Sequence, residues 1–306
     1  MKKCIIIMNP ESGKVKSLGS KKEFYDILRK HGYDAEIRYT KAKRDAIRIV
    51  EGLDDDVDLV ISAGGDGTLN EVVTGNLKRE NKLTLANLPM GTTNDVANMY
   101  GYTKNYQKDL ELLLNGVRKK VDICYIDNTP FVYVACLGDY IDMAYSTPRD
   151  LKKKYGKIAY ILYGLRQLRN SIHRYRVKYK VDGVEHKGEY SFFFITNSSR
   201  VAGVDDIYYD VKMDDNMFEV ALANPKTKAD ILRMLVQVTM KDVKEVPGIT
   251  YYQTNDFEIE FLDRPKTSWC IDGEEYLSPN LTFKFKVDQK VKMLIPKTNA
   301  KKLFEE

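Results

Sequence analysis

A glycine-rich segment with a single carboxylate, Gly64-Gly65-Asp66-Gly67-Thr68, is the part of this chain best suited to chemistry on phosphate. It follows an apolar run, Asp58–Ser62, that is typical of a buried strand, and it precedes Glu71–Leu77, which is typical of a helix start. Glycines let the backbone approach a ligand closely, and the free N–H groups of a helix N-terminus favour an anion. Asp66 repels phosphate unless a cation lies between them. The segment therefore predicts a magnesium–nucleotide site and a reaction on phosphate.

A second segment, Pro89–Asp95, again places glycine, hydroxyl and carboxylate groups between a strand and a helix. Asn94 or Asp95 is expected to cap that helix, and Asp95 adds a second carboxylate. Taken alone, the segment is also typical of a simple capping turn. A third turn, Asn9–Gly13, follows the first predicted strand. Because the carboxyl ends of parallel strands meet at one edge of a sheet, the three turns are expected to gather there.

The common phosphate-binding motifs are absent from the first turn. A dinucleotide-binding fingerprint needs G-x-G-x-x-G directly after the first strand, whereas Asn9–Gly13 holds one glycine. A Walker A motif is excluded because no glycine stands five residues before Gly13, and Lys14 is followed by Val15. The three turns therefore indicate a phosphate site of another kind.

The elements that must position these turns alternate between strand and helix over the first 125 residues. Strands are expected at Lys3–Met8, Ala35–Thr40, Asp58–Ser62 and Leu83–Leu88, with helices between them. This order predicts an α/β domain, 1–125, with a parallel sheet and helices on both faces. Residues 289–306 are expected to return to it.

The pattern changes near residue 120 to strands separated by turn signals such as Asp182-Gly183. Residues 126–288 are therefore expected to form an antiparallel β-sandwich with one or two helices. One helix is expected at Lys157–Ile172, where the apolar residues fall on one face. Single strands are expected at Phe131–Cys136, Phe218–Ala223, Trp269–Ile271, Leu281–Val287 and Val291–Ile295.

Charge and composition indicate which surfaces the protein binds and where in the cell it is expected. The 306 residues carry a net charge of +5, but residues 149–180 hold eleven Lys/Arg against one acid. This basic segment indicates either an anionic surface as partner or a solvated helix face. The four cysteines are not spaced as metal pairs and are expected to be buried thiols. No apolar run approaches the length of a membrane span, so a cytoplasmic protein, peripherally associated with the inner face of the membrane, is expected.

The segments Asn9–Gly13, Gly64–Thr68, Pro89–Asp95 and Ile271-Asp272-Gly273-Glu274 closely resemble those of the diacylglycerol kinase catalytic-domain family. This family of lipid kinases includes bacterial diacylglycerol kinases and sphingosine kinases. The segments appear in the family's order and span most of the chain. Gly64–Thr68 is shared with NAD kinases and phosphofructokinases, whereas Gly91–Asp95 is more specific to lipid kinases.

The resemblance implies two cofactors, ATP and Mg²⁺, and a role for each matching residue. Asp66, Asp95 and Asp122 correspond to a carboxylate–water network around the catalytic magnesium, and Glu274 corresponds to the general base. The residues implied to line ATP are Asn9, Pro10, Glu11, Ser12, Gly13, Thr40, Gly64, Gly65, Asp66, Gly67, Thr68, Leu69, Asn70, Gly91 and Thr92. From the hairpin pattern alone, an exposed acid is the favoured interpretation of Glu274, and Glu275 is its natural control.

A second metal site is implied at Lys212–Met217. Similar segments of the family hold a structural magnesium through one Asp carboxylate and main-chain carbonyls, which by position are Asp215 with the carbonyls of Lys212 and Met217. The family often has Gly where Asn216 stands, and Asn also tolerates a positive φ. A polar hairpin turn without metal is the alternative.

These observations lead to one leading hypothesis and two alternatives. The leading hypothesis is an ATP- and Mg²⁺-dependent lipid kinase that converts diacylglycerol to phosphatidic acid, with 126–288 as its lipid-substrate domain. Its expected partners are a lipid substrate, transiently an anionic membrane surface, and a second copy in a homodimer; nucleic acid is not expected. An NAD kinase shares Gly64–Thr68 but is disfavoured by Gly91–Asp95. A nucleotide- or lipid-binding module without turnover is the other alternative.

Overall fold

The computed structural model describes residues 1–12, 21–103, 105–138, 172–201 and 203–305. Gly13, nearly all of the helix expected at Lys157–Ile172, and most of the basic segment 149–180 lie outside the described residues. The chain divides into two compact units. Unit 1 comprises residues 1–123, 212–215 and 289–306, and unit 2 comprises residues 124–211 and 216–288.

The described residues form the following elements. The strands are β1 (Lys2–Met8), β2 (Tyr33–Tyr39), β3 (Leu59–Gly64), β4 (Leu85–Pro89), β5 (Val117–Ile126), β6 (Thr129–Phe131), β7 (Val134–Gly138), β8 (Tyr175–Val181), β9 (Val184–Tyr190), β10 (Phe192–Thr196), β11 (Phe218–Ala223), β12 (Ile249–Thr254), β13 (Asp256–Phe261), β14 (Trp269–Ile271), β15 (Glu274–Tyr276) and β16 (Thr282–Ile295). The helices are α1 (Lys21–Lys30), α2 (Asp45–Glu51), α3 (Asp66–Leu77), α4 (Asp95–Met99), α5 (Tyr106–Leu114), α6 (Lys228–Gln237) and α7 (Ala300–Leu303), with a 3₁₀ turn at Val243–Glu245.

Unit 1 is built on a parallel sheet. Its order is β2-β1-β3-β4, with the end of β16 pairing in parallel beside β4. Every residue of β3 and β4 is buried, whereas burial alternates along the edge strand β2. Continuous burial is what a parallel sheet covered on both faces requires. The predicted α/β fold with a parallel sheet is confirmed, and the end of β16 pairs with β4 in that sheet.

Unit 2 is a sandwich of two antiparallel sheets. One contains the first half of β16 with β13, β8 and β9, and the other has the order β12-β11-β10-β7-β14-β15. Aromatic side chains from both sheets pack in one core, among them Phe193, Phe257, Phe285 and Trp269. Strand β8 alternates strictly between buried and exposed residues, as expected for a sheet with one solvated face. The predicted β-sandwich is confirmed.

Two strand predictions differ from the structure. The two strands expected within 281–295 form one long strand, β16 (Thr282–Ile295), because the polar residues that suggested a break alternate outward along it. The segment Phe131–Cys136 is interrupted, because the N–H groups of Val132, Tyr133 and Val134 donate to the carboxylate of Asp272 at 2.7, 3.0 and 3.1 Å. A carboxylate therefore satisfies these backbone donors where a strand ladder was expected. Among the described residues, no helix is long and apolar enough to cross a membrane.

Candidate functional site

The carboxyl edge of the parallel sheet collects the turns that the sequence singled out. The N–H of Asn9, directly after β1, donates to the carbonyl of Ala63 in β3 at 3.2 Å. The N–H of Thr40, directly after β2, donates to Met8 O at 3.0 Å. Asn9 Oδ1 accepts the N–H of Glu11 at 3.0 Å, which closes a tight turn after β1. Asn9 therefore lies beside the end of β3, and Thr40 lies beside the end of β1.

The glycine turns after β3 and β4 contact each other directly. The carbonyl of Gly64 accepts the N–H groups of Met90 at 2.8 Å and Gly91 at 3.0 Å. A Cβ on Gly91 would lie 2.5 Å from the Cα of Gly65, which is closer than real side chains come. Glycine is required here because two backbones pass at van der Waals contact, and this contact places the two turns side by side.

Asp66 joins these two turns through its side chain. It is the first residue of α3, so the helix begins five residues earlier than Glu71, where the sequence pattern placed it. Its carboxylate accepts the N–H of Asp95 at 2.9 Å and of Val96 at 3.2 Å. These two N–H groups lie in the first turn of α4. The N-cap residue of that helix, Asn94, makes no side-chain capping hydrogen bond. The cap that was expected from Asn94 or Asp95 comes instead from a neighbouring helix.

Asn94 carries a buried oxygen that fits a ligand-binding role. The residue has a φ of 50°, in the left-handed region, and its Nδ2 donates to Gly91 O at 2.9 Å. Its Oδ1 is buried and accepts no hydrogen bond from the described residues. That oxygen lies 2.7 Å from where a Cβ of Gly91 would be, beside the contact of the two turns. A buried unsatisfied acceptor costs free energy, and a bound donor would remove that cost.

The chemistry of this edge fits a nucleotide with a divalent cation. Asp66 and Asp95 supply carboxylates, and Asp95 is fully buried. A carboxylate has about four acceptor sites, so it can bind a cation as well as backbone donors. Oxygen donors with retained waters are what Mg²⁺ prefers. Across the described ranges, no three His, Cys, Asp or Glu side chains are grouped as an all-protein metal site requires.

Asp122 forms an ion pair within unit 1. Its side chain is fully buried and lies 2.9 Å from Lys290 Nζ, which also donates to Asp214 O at 2.7 Å. The N–H of Asp122 donates to Met213 O at 2.7 Å. An ammonium group therefore already compensates the charge of Asp122, the third carboxylate that the resemblance assigned to the magnesium network.

In the segment that the resemblance assigned to a structural metal, side chains form hydrogen bonds with the backbone of the C-terminal residues. Lys212 Nζ donates to Lys302 O at 3.0 Å, and Asp214 Oδ1 accepts the N–H of Glu305 at 2.9 Å. Lys212 and Asp215 belong to unit 1, and Met217 belongs to unit 2. Asn216 has a φ of 62°, a conformation that Asn tolerates.

The hairpin of β14 and β15 carries Glu274. Its two turn residues, Asp272 and Gly273, have φ values of 47° and 91°, as a tight hairpin turn requires. The carboxylate of Asp272, which caps three N–H groups between β6 and β7, ties this turn to the sheet. Glu274 and Glu275 are both exposed and point to opposite faces of β15.

Two residues that fix candidate site residues in place were not recognised from the sequence. Lys290 was not considered, because a single lysine in a strand has no recognisable pattern. Asp272 was quoted only as part of a motif, although an Asp at the first position of a tight turn is a signal for side-chain capping.

Comparison with known proteins places these features in a family. Residues 3–126 match the family described as diacylglycerol kinase catalytic domain, and residues 143–291 match the YegS C-terminal NAD kinase beta sandwich-like domain. The chain is 30% identical over 279 residues to the diacylglycerol kinase of Bacillus subtilis (strain 168), covering 90% of each chain. It is also 30% identical over 277 residues to the diacylglycerol kinase of Staphylococcus aureus (strain bovine RF122 / ET3-1), covering 89% of this chain and 86% of that one.

Solved structures share the fold. A crystal structure of a diacylglycerol kinase from Bacillus anthracis str. Sterne aligns over 98% of both chains with a TM-score of 0.75 at 20% identity. Another chain from the same organism has a TM-score of 0.82 at 23% identity, covering 98% of this chain and 97% of that one. With the paired glycine turns, the Asp66 cap and the hairpin of Glu274 in place, the chain belongs to the diacylglycerol kinase catalytic-domain family.

Proposed function

We propose that this protein is an ATP- and Mg²⁺-dependent lipid kinase that transfers the γ-phosphate to the hydroxyl of diacylglycerol, giving phosphatidic acid. The observation that carries the proposal is the contact between the two glycine turns, locked by the Asp66 carboxylate on the N–H groups of Asp95 and Val96. The names of the relatives support the lipid acceptor.

The proposed role of the sheet edge is to hold the nucleotide by its phosphates. Phosphoryl transfer depends mainly on positioning and on neutralisation of charge. Backbone N–H groups at the start of α3 would supply donors, and the close Gly65–Gly91 contact holds the turn after β4 beside them. When bound, Mg²⁺ supplies charge neutralisation on the phosphates, with Asp66 and Asp95 as the residues that would hold it.

The proposed role of Glu274 is that of general base. An alcohol is a poor nucleophile at neutral pH, so a carboxylate within hydrogen-bond reach must take its proton as it attacks phosphorus. The Asp272 anchor fixes the backbone two residues before Glu274, which limits the positions that the carboxylate can reach.

A structural cation, a membrane contact and a homodimer complete the proposal. We propose that Asp215, with the carbonyls of Lys212 and Met217, holds a structural divalent cation. We also propose that the protein meets an anionic membrane from the cytoplasmic side, because its lipid acceptor resides there. A homodimer is proposed as its assembly state.

The experiment that tests the function follows labelled γ-phosphate from Mg–ATP onto a panel of lipids in mixed micelles. The panel contains diacylglycerol, ceramide, a sphingoid base and a monoacylglycerol, with NAD as a soluble acceptor and the Asp66→Ala variant as blank. Labelled phosphatidic acid, absent from the blank, is the expected result. Labelled NAD would assign the chain to the NAD kinases, and ATP binding without any labelled product would indicate a binding module.

A further inference from the structure

The helix α6 presents an outward face that is unusual for a solvated helix. Four exposed residues, Ala229, Arg233, Val236 and Met240, follow one another at spacings of four, three and four, so they share one side of the helix and of the turn that continues it. Val236 is 38% exposed and Met240 is 76% exposed. We call these four residues the outer face of α6.

The opposite side of α6 explains why the helix is held in this orientation. Ile231 is the one fully buried residue of the ten. Val238, just after the helix, packs with Tyr208 and Val243 on a small core over the sheet that contains β11. With the inner side anchored in this way, Val236 and Met240 are directed outward.

The N-terminus of α6 is fixed by a capping box that is visible in the sequence. Thr227 and Asp230 form a reciprocal capping box, in which each side chain accepts the backbone N–H of the other. The hydrogen bond from Thr227 lowers the pKa of Asp230, so this carboxylate stays ionised. Asp230 also pairs with Arg233 at 3.0 Å, which leaves the outer face without an unpaired acid of its own.

Basic residues lie at the N-terminal end of this face. Residues 226–245 contain five Lys/Arg and three acids. Asp230 is held in the capping box, Asp242 is buried and accepts the N–H groups of Tyr209 and Lys244, and Glu245 lies beyond the helix in the 3₁₀ turn. Arg174 reaches the same end of the helix, since its guanidinium donates to Lys226 O at 3.4 Å. We call Arg174, Lys226 and Lys228, which are all exposed, the basic rim.

We propose that the outer face of α6 docks on an anionic lipid bilayer. Val236 and Met240 enter the boundary between headgroups and acyl chains, and the basic rim meets lipid phosphates. A short amphipathic helix with apolar residues outward and cations at its border is suited to this interface. A neutral protein partner would not require the basic rim, and an anionic soluble ligand would not require Val236 and Met240.

This inference rests on the proposed function, because a kinase whose acceptor is a membrane lipid must reach the bilayer. It shares only Arg174 with the expectation made for the basic segment 149–180, since it assigns the contact to a helix that the sequence pattern did not single out. The docking proposal and the proposed kinase function can be tested separately, because vesicle binding is measured without ATP.

The test is co-sedimentation of the full chain with two kinds of vesicle, one of phosphatidylglycerol and phosphatidylcholine in equal parts and one of phosphatidylcholine alone. The wild type is expected to bind the anionic vesicles. The double variant Val236→Asp with Met240→Asp is expected to bind them at least about tenfold more weakly. The variant Lys226→Gln with Lys228→Gln is expected to lose roughly tenfold on anionic vesicles.

The matched control is Val184→Asp at a hairpin tip in the same unit, where the valine is 59% exposed. It makes the same chemical change without touching α6, so its vesicle binding should equal that of the wild type. Turnover of a short-chain diacylglycerol below its micellar concentration should be unchanged in all three variants.

Two outcomes would overturn the docking proposal. Equal vesicle binding by wild type and by the Val236→Asp, Met240→Asp variant would remove the outer face as a membrane contact. A change from dimer to monomer in that variant, seen by sedimentation velocity with vesicle binding intact, would assign the face to a second copy. Absence of lipid phosphorylation in the wild type would contradict the proposed function and leave the vesicle result to decide the docking.

Discussion

At the scale of single residues, carboxylates organise backbone in both units. Asp66 caps α4 across a turn, and Asp272 gathers three N–H groups between β6 and β7. A carboxylate bound to backbone donors makes charge-assisted hydrogen bonds, which are stronger than neutral ones. Asp66 and Asp272, which lie within the segments proposed to carry the chemistry, therefore also fix the backbone of the neighbouring turns.

Lys290 gives a prediction at this scale. Replacing it by Met removes the ammonium beside Asp122 and leaves a buried charge without that partner. Because Lys290 is partly solvated, we expect a loss of about 2 kcal/mol in the free energy of unfolding, less than for a fully buried pair. Urea denaturation measures the loss.

The control is Lys292→Met, an exposed lysine two positions along the same strand, which should unfold like the wild type. Lys290→Arg should recover part of the stability, since it keeps the charge. Equal stability of Lys290→Met and Lys292→Met would show that the ion pair contributes nothing.

At the scale of elements, the turns after β3 and β4 function as a unit because their backbones touch. The Gly91→Ala variant tests this contact, since its Cβ would lie 2.5 Å from Gly65 Cα and force the turns apart. We expect ATP binding at least about tenfold weaker, because the phosphate donors are displaced. Isothermal titration with Mg–ATP measures it.

Gly52→Ala is the control for that variant. Gly52 lies after α2 in the same unit, and a Cβ there meets nothing closer than 3.4 Å. Its ATP affinity should match that of the wild type. Normal affinity in Gly91→Ala would mean that the contact between the turns is not needed to hold the nucleotide.

The elements also show what a sequence reveals and what it does not. The α/β order and the strands Phe218–Ala223 and Trp269–Ile271 were predicted at their observed bounds, because hydrophobic periodicity and turn residues are local signals. The Asp66 cap on α4 and the Asp272 anchor join residues far apart in the chain, so no local pattern reports them. The helix α6 was overlooked, although its Thr227–Asp230 capping box is visible in the sequence.

At the scale of the whole molecule, burial in the core determines how reactive the cysteine thiols are. Cys4, Cys124 and Cys136 are buried free thiols, and Cys270 is half-buried. Burial raises the pKa of Cys4 to about 12, so its thiolate is scarce at neutral pH. The expectation of buried thiols is met by Cys4, Cys124 and Cys136, and it is wrong for the half-buried Cys270.

Thiol titration with an aromatic disulfide tests that description. At pH 8 the native protein should react at no more than one site, Cys270, within minutes, whereas all four cysteines should react in denaturant. Rapid reaction of Cys4 in the native state would show that unit 1 opens around β1 far more readily than its burial implies.

The central claim is that this chain phosphorylates diacylglycerol with Glu274 as the base, and one comparison tests it most directly. Labelled phosphate transfer from Mg–ATP to diacylglycerol in mixed micelles is measured for the wild type, Glu274→Gln and Glu275→Gln, alongside ATP affinity. Glu275 is exposed on the opposite face of the same strand, so it is a matched control. The account predicts wild-type turnover for Glu275→Gln and turnover lower by roughly 10²-fold or more for Glu274→Gln, with ATP affinity unchanged in both. Equal turnover in the two variants would contradict it.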